Sequence, residues 1–281
     1  MKISVRKLFS SKSKKEKQSN VRYQKYIPHV CIVSICVVLI AAGVGIIFTR
    51  QIEDTAARNE YEQLRDLFFS PAASQEQNPE QRPEIENTTS ETGYTIPEIE
   101  EDEPDNLSLL LMEELAMINE DLIGWISIEN YIEYPVVRGT DNDKYIHTTF
   151  SGERNRAGAI FMDYRNHGGF DDHTVILFGH LTGNGTMFAP LVNYINRSFL
   201  QENPIITITT RDGEILHYRI FYAKKTDAWD VAYETGFTGN TQAAPAFPDA
   251  PANASHFLML STCAPGDDKN ERILVFAALD D

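Results

Sequence analysis

The hydrophobic positions form one long unbroken run near the start of the chain and many short runs after residue 106. The long run, residues 30–48, has 19 residues without a charge, close to the length that a membrane-spanning helix needs. Residues 50–69, where apolar side chains alternate with charges, are expected to continue as a helical stalk. A cleaved signal peptide is the alternative, but the run is long for one and no small-residue cleavage pattern follows it.

The short runs after residue 106 predict one apolar-rich helix from Leu107 and then eight strands, with a second helix over residues 187–195. Many short strands with few helices favour a closed or nearly closed β-barrel over a doubly wound sheet. The longest connection, residues 224–256, is expected to form a functional flap with some helix. The predicted strands are residues 125–128, 134–137, 158–163, 174–178, 205–210, 215–223, 257–261 and 273–279.

Composition divides the chain into a basic tail (1–29), an apolar anchor (30–48), a stalk with an acidic linker (49–106) and a globular domain (107–281). Within the third part, residues 70–106 contain 11 acidic residues, one basic residue and five prolines. This composition predicts an extended, disordered spacer that lets an anchored domain stand away from the membrane. A tolerated low-complexity linker without a function is the alternative.

The charge distribution gives an orientation for the anchor. Residues 1–29 contain nine Lys and Arg residues against one acidic residue, which predicts a cytoplasmic N-terminus and an extracellular globular domain. The whole chain has 25 basic and 41 acidic residues, so the part after the anchor has 16 and 40, a net charge of −24. A surface of this charge argues against nucleic acid as a partner.

Cysteine usage singles out one thiol. Cys31 and Cys36 lie in the apolar run, so Cys263 is the only cysteine of the exported part, and a disulfide within that part is excluded. A single exported thiol is a cysteine without a specific role, an intermolecular link or a reactive group. A small buried hydrophobic residue is the ordinary role of a free cysteine.

Cys263 ends an apolar strand, and Arg272 opens the next strand nine residues later. If the two strands are neighbours, a guanidinium lies close to a thiol, and a nearby cation favours the reactive thiolate. Such an arginine also stabilises the oxyanion that forms when a thiolate attacks a carbonyl. The alternative is that Arg272 forms a surface ion pair with Glu271, Asp267 or Asp268.

His180 also follows an apolar strand, with Gly179 allowing a close backbone approach. A histidine there can protonate a leaving amine and deprotonate an incoming one, although a structural role is the commoner one for a lone histidine. No paired cysteines, H-E-x-x-H, calcium loop, phosphate loop or dinucleotide fingerprint is present, so neither a metal nor a cofactor is expected. The exported part has five other histidines, His147, His167, His173, His217 and His256.

Together these residues resemble the sortase family, whose signature is T-L-x-T-C at the end of one strand and an arginine at the start of the next. Here residues 260–263 (Leu-Ser-Thr-Cys) and Arg272 fit, with Met259 in place of the first threonine. The resemblance covers residues 107–279. Class B is suggested by residues 119–126 (NEDLIGWI), 134–142 (YPVVRGTDN), 158–166 (GAIFMDYRN), 178–180 (FGH) and 186–188 (TMF).

The resemblance implies an eight-stranded sortase β-barrel with an N-terminal helical element and a transpeptidase reaction. Cys263 is expected to attack the threonine carbonyl of a C-terminal sorting signal and form a thioester. His180 is expected to act as acid and base, Arg272 to steady the oxyanion or substrate, and Ser261 and Thr262 to line the peptide groove. The expected partners are surface proteins with sorting signals and an amine acceptor, either a lipid-linked peptidoglycan precursor or a pilin.

Three other functions compete with wall anchoring. A pilin-polymerising sortase differs only in the accepting amine. An anchored cysteine peptidase would use the same residues, although the papain-like order places Cys before His, and here His180 precedes Cys263 by 83 residues. A non-catalytic surface domain would not need the thiol. Residues 224–256, which shape the substrate groove in class B enzymes, are short and rich in Ala and Pro, so the preferred signal stays open.

Overall fold

A computed structural model describes residues 5–69, 106–234, 247, 249–252, 254–266 and 268–280, with the side chains of residues 5–33 and 106 left aside. Its eight strands form a closed barrel in the order β1-β2-β3-β4-β7-β8-β6-β5, and β5 pairs with β1. The predicted eight-stranded barrel is confirmed. The strands are β1 Leu122–Ile128, β2 Ile132–Val137, β3 Ile160–Met162, β4 Thr174–Phe178, β5 Ile205–Thr210, β6 Ile215–Asp227, β7 Phe257–Cys263 and β8 Glu271–Leu279.

Two strand pairs are parallel, β2 with β3 and β4 with β7, and all other neighbours are antiparallel. Because parallel strands end at the same edge of a sheet, the carboxyl ends of β4 and β7 meet. The start of β8 meets the same edge, since β8 runs antiparallel to β7.

The two faces of β7 bury different clusters. Leu258 and Leu260 belong to the larger hydrophobic core, while the alternating residues Phe257 and Met259 belong to a second cluster. Phe247, from the connection between β6 and β7, is buried in that second cluster. The β6–β7 connection therefore covers part of the outer face of β7, and period-two alternation puts both Ser261, which is buried, and Cys263, which is exposed, on this face.

The first helix, α1 (Val5–Phe69), includes the apolar run and the predicted stalk. Within the described residues, one helical stretch, Ser34–Phe69, is long and apolar enough to cross a membrane. The last four turns of α1, which were predicted as a stalk, also pack into the globular unit, because Ala57, Tyr61 and Leu64 are buried in the main core. The spacing i, i+4, i+7 puts these three side chains on one helix face.

The compact unit that contains the barrel extends from Asp54 to Asp281. Tyr61 helps to attach α1 within this unit, as its hydroxyl donates a 2.7 Å hydrogen bond to the carbonyl of Gly158. Residues 70–105, most of the predicted acidic spacer, lie outside the described residues. In sequence order they connect two elements of the same unit and do not connect the apolar run to the barrel.

The remaining helices are short. Helix α2 (Asn106–Ile118) confirms the apolar-rich helix predicted from Leu107, and it buries Leu111, Met112 and Leu115. The helix predicted over residues 187–195 is a 3-10 helix, Ala189–Ile195, followed by α3 (Arg197–Glu202). The predicted flap contains a 3-10 turn, Val231–Tyr233, and its residues 235–246 lie outside the described part.

Candidate active site

Cys263 is the last residue of β7, and its side chain is exposed. It pairs directly with Arg272 of the antiparallel neighbour β8. Directly opposed residues in an antiparallel pair have Cβ atoms about 4.5–5.5 Å apart on the same face of the sheet. The thiol and the guanidinium therefore project from neighbouring strands on one face, as the sequence predicted for adjacent strands.

His180 reaches the same place from the other side of β7. In the parallel pair, Phe178 of β4 is opposite Ser261 of β7, and the Gly179 amide donates a 3.2 Å hydrogen bond to the Ser261 carbonyl. His180 and Cys263 each follow this pair by two residues, at the same end of β4 and β7. Three consecutive strands thus present His180, Cys263 and Arg272 at one end of the barrel, which brings the three predicted catalytic residues together.

Gly179 makes this approach possible. A Cβ atom at this position would lie 2.5 Å from Cδ1 of Ile160 and 2.6 Å from Cγ of Phe188, closer than carbon atoms pack. Only glycine fits between these side chains without displacing the chain. The close approach that Gly179 was expected to allow is therefore an approach of its backbone to the side chains of Ile160 and Phe188.

The His180 ring has a defined orientation. Its Nε2 lies 2.7 Å from the carbonyl oxygen of Ile146, and because a carbonyl only accepts, Nε2 carries the proton. Burial lowers the pKa of His180, and nearby His147 acts in the same direction, while the Ile146 hydrogen bond opposes them. The neutral ring with a free Nδ1 lone pair is the favoured form, and this form can accept a proton.

Arg272 donates through Nη1 to the carbonyl oxygens of Lys269 at 2.7 Å and Glu271 at 3.0 Å. The carboxylate of Glu271 instead pairs with Lys225, with 2.7 Å between Nζ and Oε2. No carboxylate of the described residues forms an ion pair with Arg272, and Asp267 lies outside them. The backbone thus orients the guanidinium, and none of the described carboxylates neutralises its charge.

The structure buries the two predicted groove residues, since Ser261 and Thr262 are each 2% exposed. The Ser261 hydroxyl lies 2.7 Å from the Tyr233 hydroxyl. Thr262 is on the opposite face of β7, and its hydroxyl has no hydrogen-bond partner among the described residues. Their contact with a peptide stays a prediction, and the observed partner of Ser261 is another part of the protein.

Tyr233 is a site residue that the sequence did not reveal. Its ring stacks on Phe178 with centroids 6.2 Å apart and planes at 11°. Burial raises the pKa of Tyr233, while the hydrogen bond with Ser261 and the charge of Arg272 oppose this rise. No sequence signal was available, because Tyr233 lies in an irregular connection without periodicity.

The other histidines are distributed away from the thiol or beside His180. His147 lies beside His180, with ring centroids 6.2 Å apart. His173 and His256 lie next to each other at the amino ends of β4 and β7, away from the thiol. Among the described residues, no group of three or more His, Cys, Asp or Glu side chains is arranged to hold a metal ion. The chemistry available at this site is that of a thiol, an imidazole and a guanidinium.

Comparisons with known proteins identify the family to which this chain is similar. A family model for the sortase domain matches residues 127–280, which include His180, Cys263 and Arg272. Sortase B of Listeria monocytogenes is 40% identical over 135 residues, 46% of this chain and 53% of that protein. The chain thus spans about half the length of the curated relatives that it matches.

Solved structures that are similar to this chain include class B sortases. The Staphylococcus aureus sortase B–substrate complex aligns with a TM-score of 0.62 and 26% identity, over 82% of this chain and 98% of that one. A Streptococcus pyogenes class B sortase involved in pilus biogenesis aligns with a TM-score of 0.53 and 27% identity, over 60% of this chain and 97% of that one.

Proposed function

Because the chain belongs to the sortase family, and its relatives are of class B, we propose that it is a membrane-anchored cysteine transpeptidase with Cys263 as nucleophile. The observation that carries the proposal is the position of His180, Cys263 and Arg272 at one end of three neighbouring strands. A thiol alone would be compatible with many roles. A thiol beside a proton-accepting imidazole and a guanidinium that no carboxylate of the described residues pairs with has the parts of an acyl-transfer site.

In the first half-reaction the Cys263 thiol gives its proton to His180 and the sulfur attacks the threonine carbonyl of a sorting signal. The tetrahedral oxyanion is stabilised by Arg272. His180 then returns its proton to the departing amine, the C–N bond breaks, and a thioester remains on Cys263. Neutral His180 suits this sequence because it begins as a base and ends neutral.

In the second half-reaction an amine attacks the thioester. His180 accepts the amine proton, the C–S bond breaks, and the sulfur of Cys263 recovers a proton from His180. The product carries a new amide bond to the acceptor. The acceptor is proposed to be an amine of a lipid-linked cell-wall precursor, and the donor a surface protein with a C-terminal sorting signal.

The apolar part of α1 is proposed to anchor the enzyme as a single span through residues 30–48. The excess of basic residues before it supports a cytoplasmic N-terminus and an extracellular barrel. Since the compact unit begins at Asp54, few residues separate it from the end of the apolar run. This supports an enzyme that works near the membrane surface, where a lipid-linked acceptor is located.

Pilin polymerisation is the second candidate function. It is favoured by the likeness to the Streptococcus pyogenes class B sortase involved in pilus biogenesis. The chemistry at Cys263 would be the same, and the acceptor would be a lysine amine of a pilin subunit. A hydrolytic cysteine peptidase and a non-catalytic surface domain are the further alternatives.

The proposal is tested by incubating the full chain in detergent with dye-labelled sorting-signal peptides and either a short glycine peptide or a lysine-bearing protein. Chromatography separates ligated from hydrolysed peptide. Ligation to the glycine amine supports wall anchoring, and ligation only to the lysine-bearing protein supports pilin polymerisation. Hydrolysis that no amine diverts supports a peptidase, and no cleavage of any peptide contradicts the enzymatic proposal.

A further inference from the structure

The segment 158–166 contains a buried ion pair that the reaction does not use. The carboxylate of Asp163 is 0% exposed, and Arg165 contacts both of its oxygens, with Nε at 2.9 Å and Nη2 at 2.8 Å. The Arg165 amide adds a 3.0 Å hydrogen bond to the same carboxylate. A bidentate pair with a fully buried carboxylate fixes the one-third-exposed guanidinium in one orientation.

The fixed guanidinium holds the β6–β7 connection. Nη2 of Arg165 lies 3.2 Å from the backbone carbonyl oxygen of Tyr233. The same turn is held from its other side by Asp230, which accepts hydrogen bonds from Nζ of Lys224 at 2.7 Å, Oγ1 of Thr226 at 2.6 Å and the Ala232 amide at 2.9 Å. The turn that carries Tyr233 is therefore attached to the segment after β3 through Arg165 and to β6 through Asp230, and neither attachment involves β7.

The Tyr233 side chain transmits this attachment to β7. Its ring stacks on Phe178 of β4, and its hydroxyl lies 2.7 Å from the Ser261 hydroxyl. Ser261 is two residues before Cys263, on the same face of the same strand. The hydroxyl pair is thus a direct link between the connection and the strand end that carries the thiol.

We propose that Tyr233 is a positioning residue for the Cys263 centre, and that the Asp163–Arg165 pair fixes Tyr233 over Ser261. The link keeps the end of β7 in the conformation in which the thiol lies between His180 and Arg272. The inference rests on the proposed function only in taking Cys263 as the reacting group. Tyr233 itself forms no bond in the reaction and acts through Ser261 and the strand.

The test compares Tyr233→Phe with Tyr222→Phe in the full chain in detergent. Tyr222 is a matched control, since its ring stacks on Phe276 of the same covered face and its hydroxyl has no hydrogen-bond partner among the described residues. The first readout is the rate at which iodoacetamide alkylates Cys263 from pH 5 to 10, followed by intact mass. The second is the split between kcat and KM with a sorting-signal peptide.

Tyr233→Phe is expected to shift the pH midpoint of alkylation and to lower kcat by roughly three- to tenfold with KM nearly unchanged, the size of one neutral hydrogen bond. Tyr222→Phe is expected to match the wild type in both readouts. An unchanged alkylation profile and unchanged kcat in Tyr233→Phe would overturn the proposal. Because alkylation needs no peptide, it tests the positioning of Cys263 even if the protein cleaves none of the peptides. Failure to cleave any peptide would count against the proposed function alone.

Arg165→Lys tests whether the Asp163–Arg165 pair fixes Tyr233. Lysine keeps a charge for Asp163 but lacks the fork that reaches the Tyr233 carbonyl. It is expected to reproduce the Tyr233→Phe shift, and the Arg165→Lys/Tyr233→Phe double variant is expected to be no worse than either single variant, because both break one link. Additive losses would overturn the role of Arg165. If Arg165→Lys does not fold, the same cycle is run with Ser261→Ala and Tyr233→Phe, and additivity there would overturn the hydroxyl link.

Discussion

Cys263 and Arg272 are direct partners across β7 and β8, although eight residues separate them in sequence. Their relationship is fixed by strand register, and the loop between them does not set it. A register error of one residue would turn one of the two side chains to the other face. The barrel thus holds the thiol and the guanidinium together through its own hydrogen-bond ladder.

This relationship makes Arg272→Lys an informative substitution. Lysine keeps the positive charge but loses the planar fork that can bind an oxyanion while it donates to the Lys269 carbonyl. We expect kcat/KM for peptide cleavage to fall at least about tenfold. The control is Arg219→Lys, which changes an exposed arginine paired with Asp280 far along the same sheet. Equal turnover of the Arg272→Lys variant and the wild type would show that the fork is irrelevant.

His180 gives a pH dependence with a defined sign. Its pKa is lowered in the folded state, so between that value and the ordinary 6.5 the unfolded chain binds more protons than the folded one. This contribution to stability is complete above pH 6.5 and is lost as the pH falls below it. His180→Gln, which keeps a donor for the Ile146 carbonyl, is therefore expected to reduce the loss of stability between pH 7.5 and 5.5.

The measurement is urea unfolding of the full chain in detergent at the two pH values, followed by the fluorescence of buried Trp125. His217→Gln, at an exposed strand position, is the control and should keep the wild-type difference. If the His180→Gln variant also keeps the full wild-type difference, the neutral state assigned to His180 is wrong.

The contact of α1 with the barrel predicts a stability effect far from the thiol. Leu64 is buried in the main core, so Leu64→Ala is expected to cost about 2–5 kcal/mol of unfolding free energy. Arg58→Ala, on the exposed side of the same helix, removes only a surface pair with Glu62 and should cost less than about 0.5 kcal/mol. Equal urea midpoints for the two variants would mean that α1 does not pack on the barrel in solution.

Cys263→Ala is expected to leave the fold intact. The side chain is exposed at a strand end, and surface substitutions usually change the unfolding free energy by no more than about 0.5 kcal/mol. The urea midpoint of this variant should therefore equal that of the wild type. A large loss of stability would show that the thiol has a packing role and would make the variant unsuitable as a catalytic control.

The barrel was predictable from the sequence because most strands are short, apolar and bounded by turn residues, with the 13-residue β6 as the exception. His180, Cys263 and Arg272 were also predictable, since each lies where a strand ends or begins. Their approach needs pairings of β4 with β7 and of β7 with β8, and such pairings follow from the whole barrel and not from local pattern. The resemblance to a family supplied what periodicity does not.

For other features the sequence did not show which part of the chain they contact. The apolar stripe of Ala57, Tyr61 and Leu64 is visible in the sequence. The barrel core on which it packs follows only after the acidic, proline-rich segment 70–105, which is 36 residues long. Tyr233 lies in a connection with no repeat, and only the strand pairing of Ser261 and the ion pair of Arg165 give it a role. Long-range contacts made by irregular segments are not encoded in a local period.

The most direct test of the account is intact-mass spectrometry of the full chain in detergent, mixed with a library of sorting-signal peptides. The account predicts a mass increase equal to the acyl part of one peptide, mapped to Cys263 and absent from the Cys263→Ala variant. Adding an amine acceptor should remove the adduct and release a ligated peptide. An adduct that persists in the Cys263→Ala variant, or amine ligation by that variant at the wild-type rate, would contradict the assignment of Cys263 as the nucleophile.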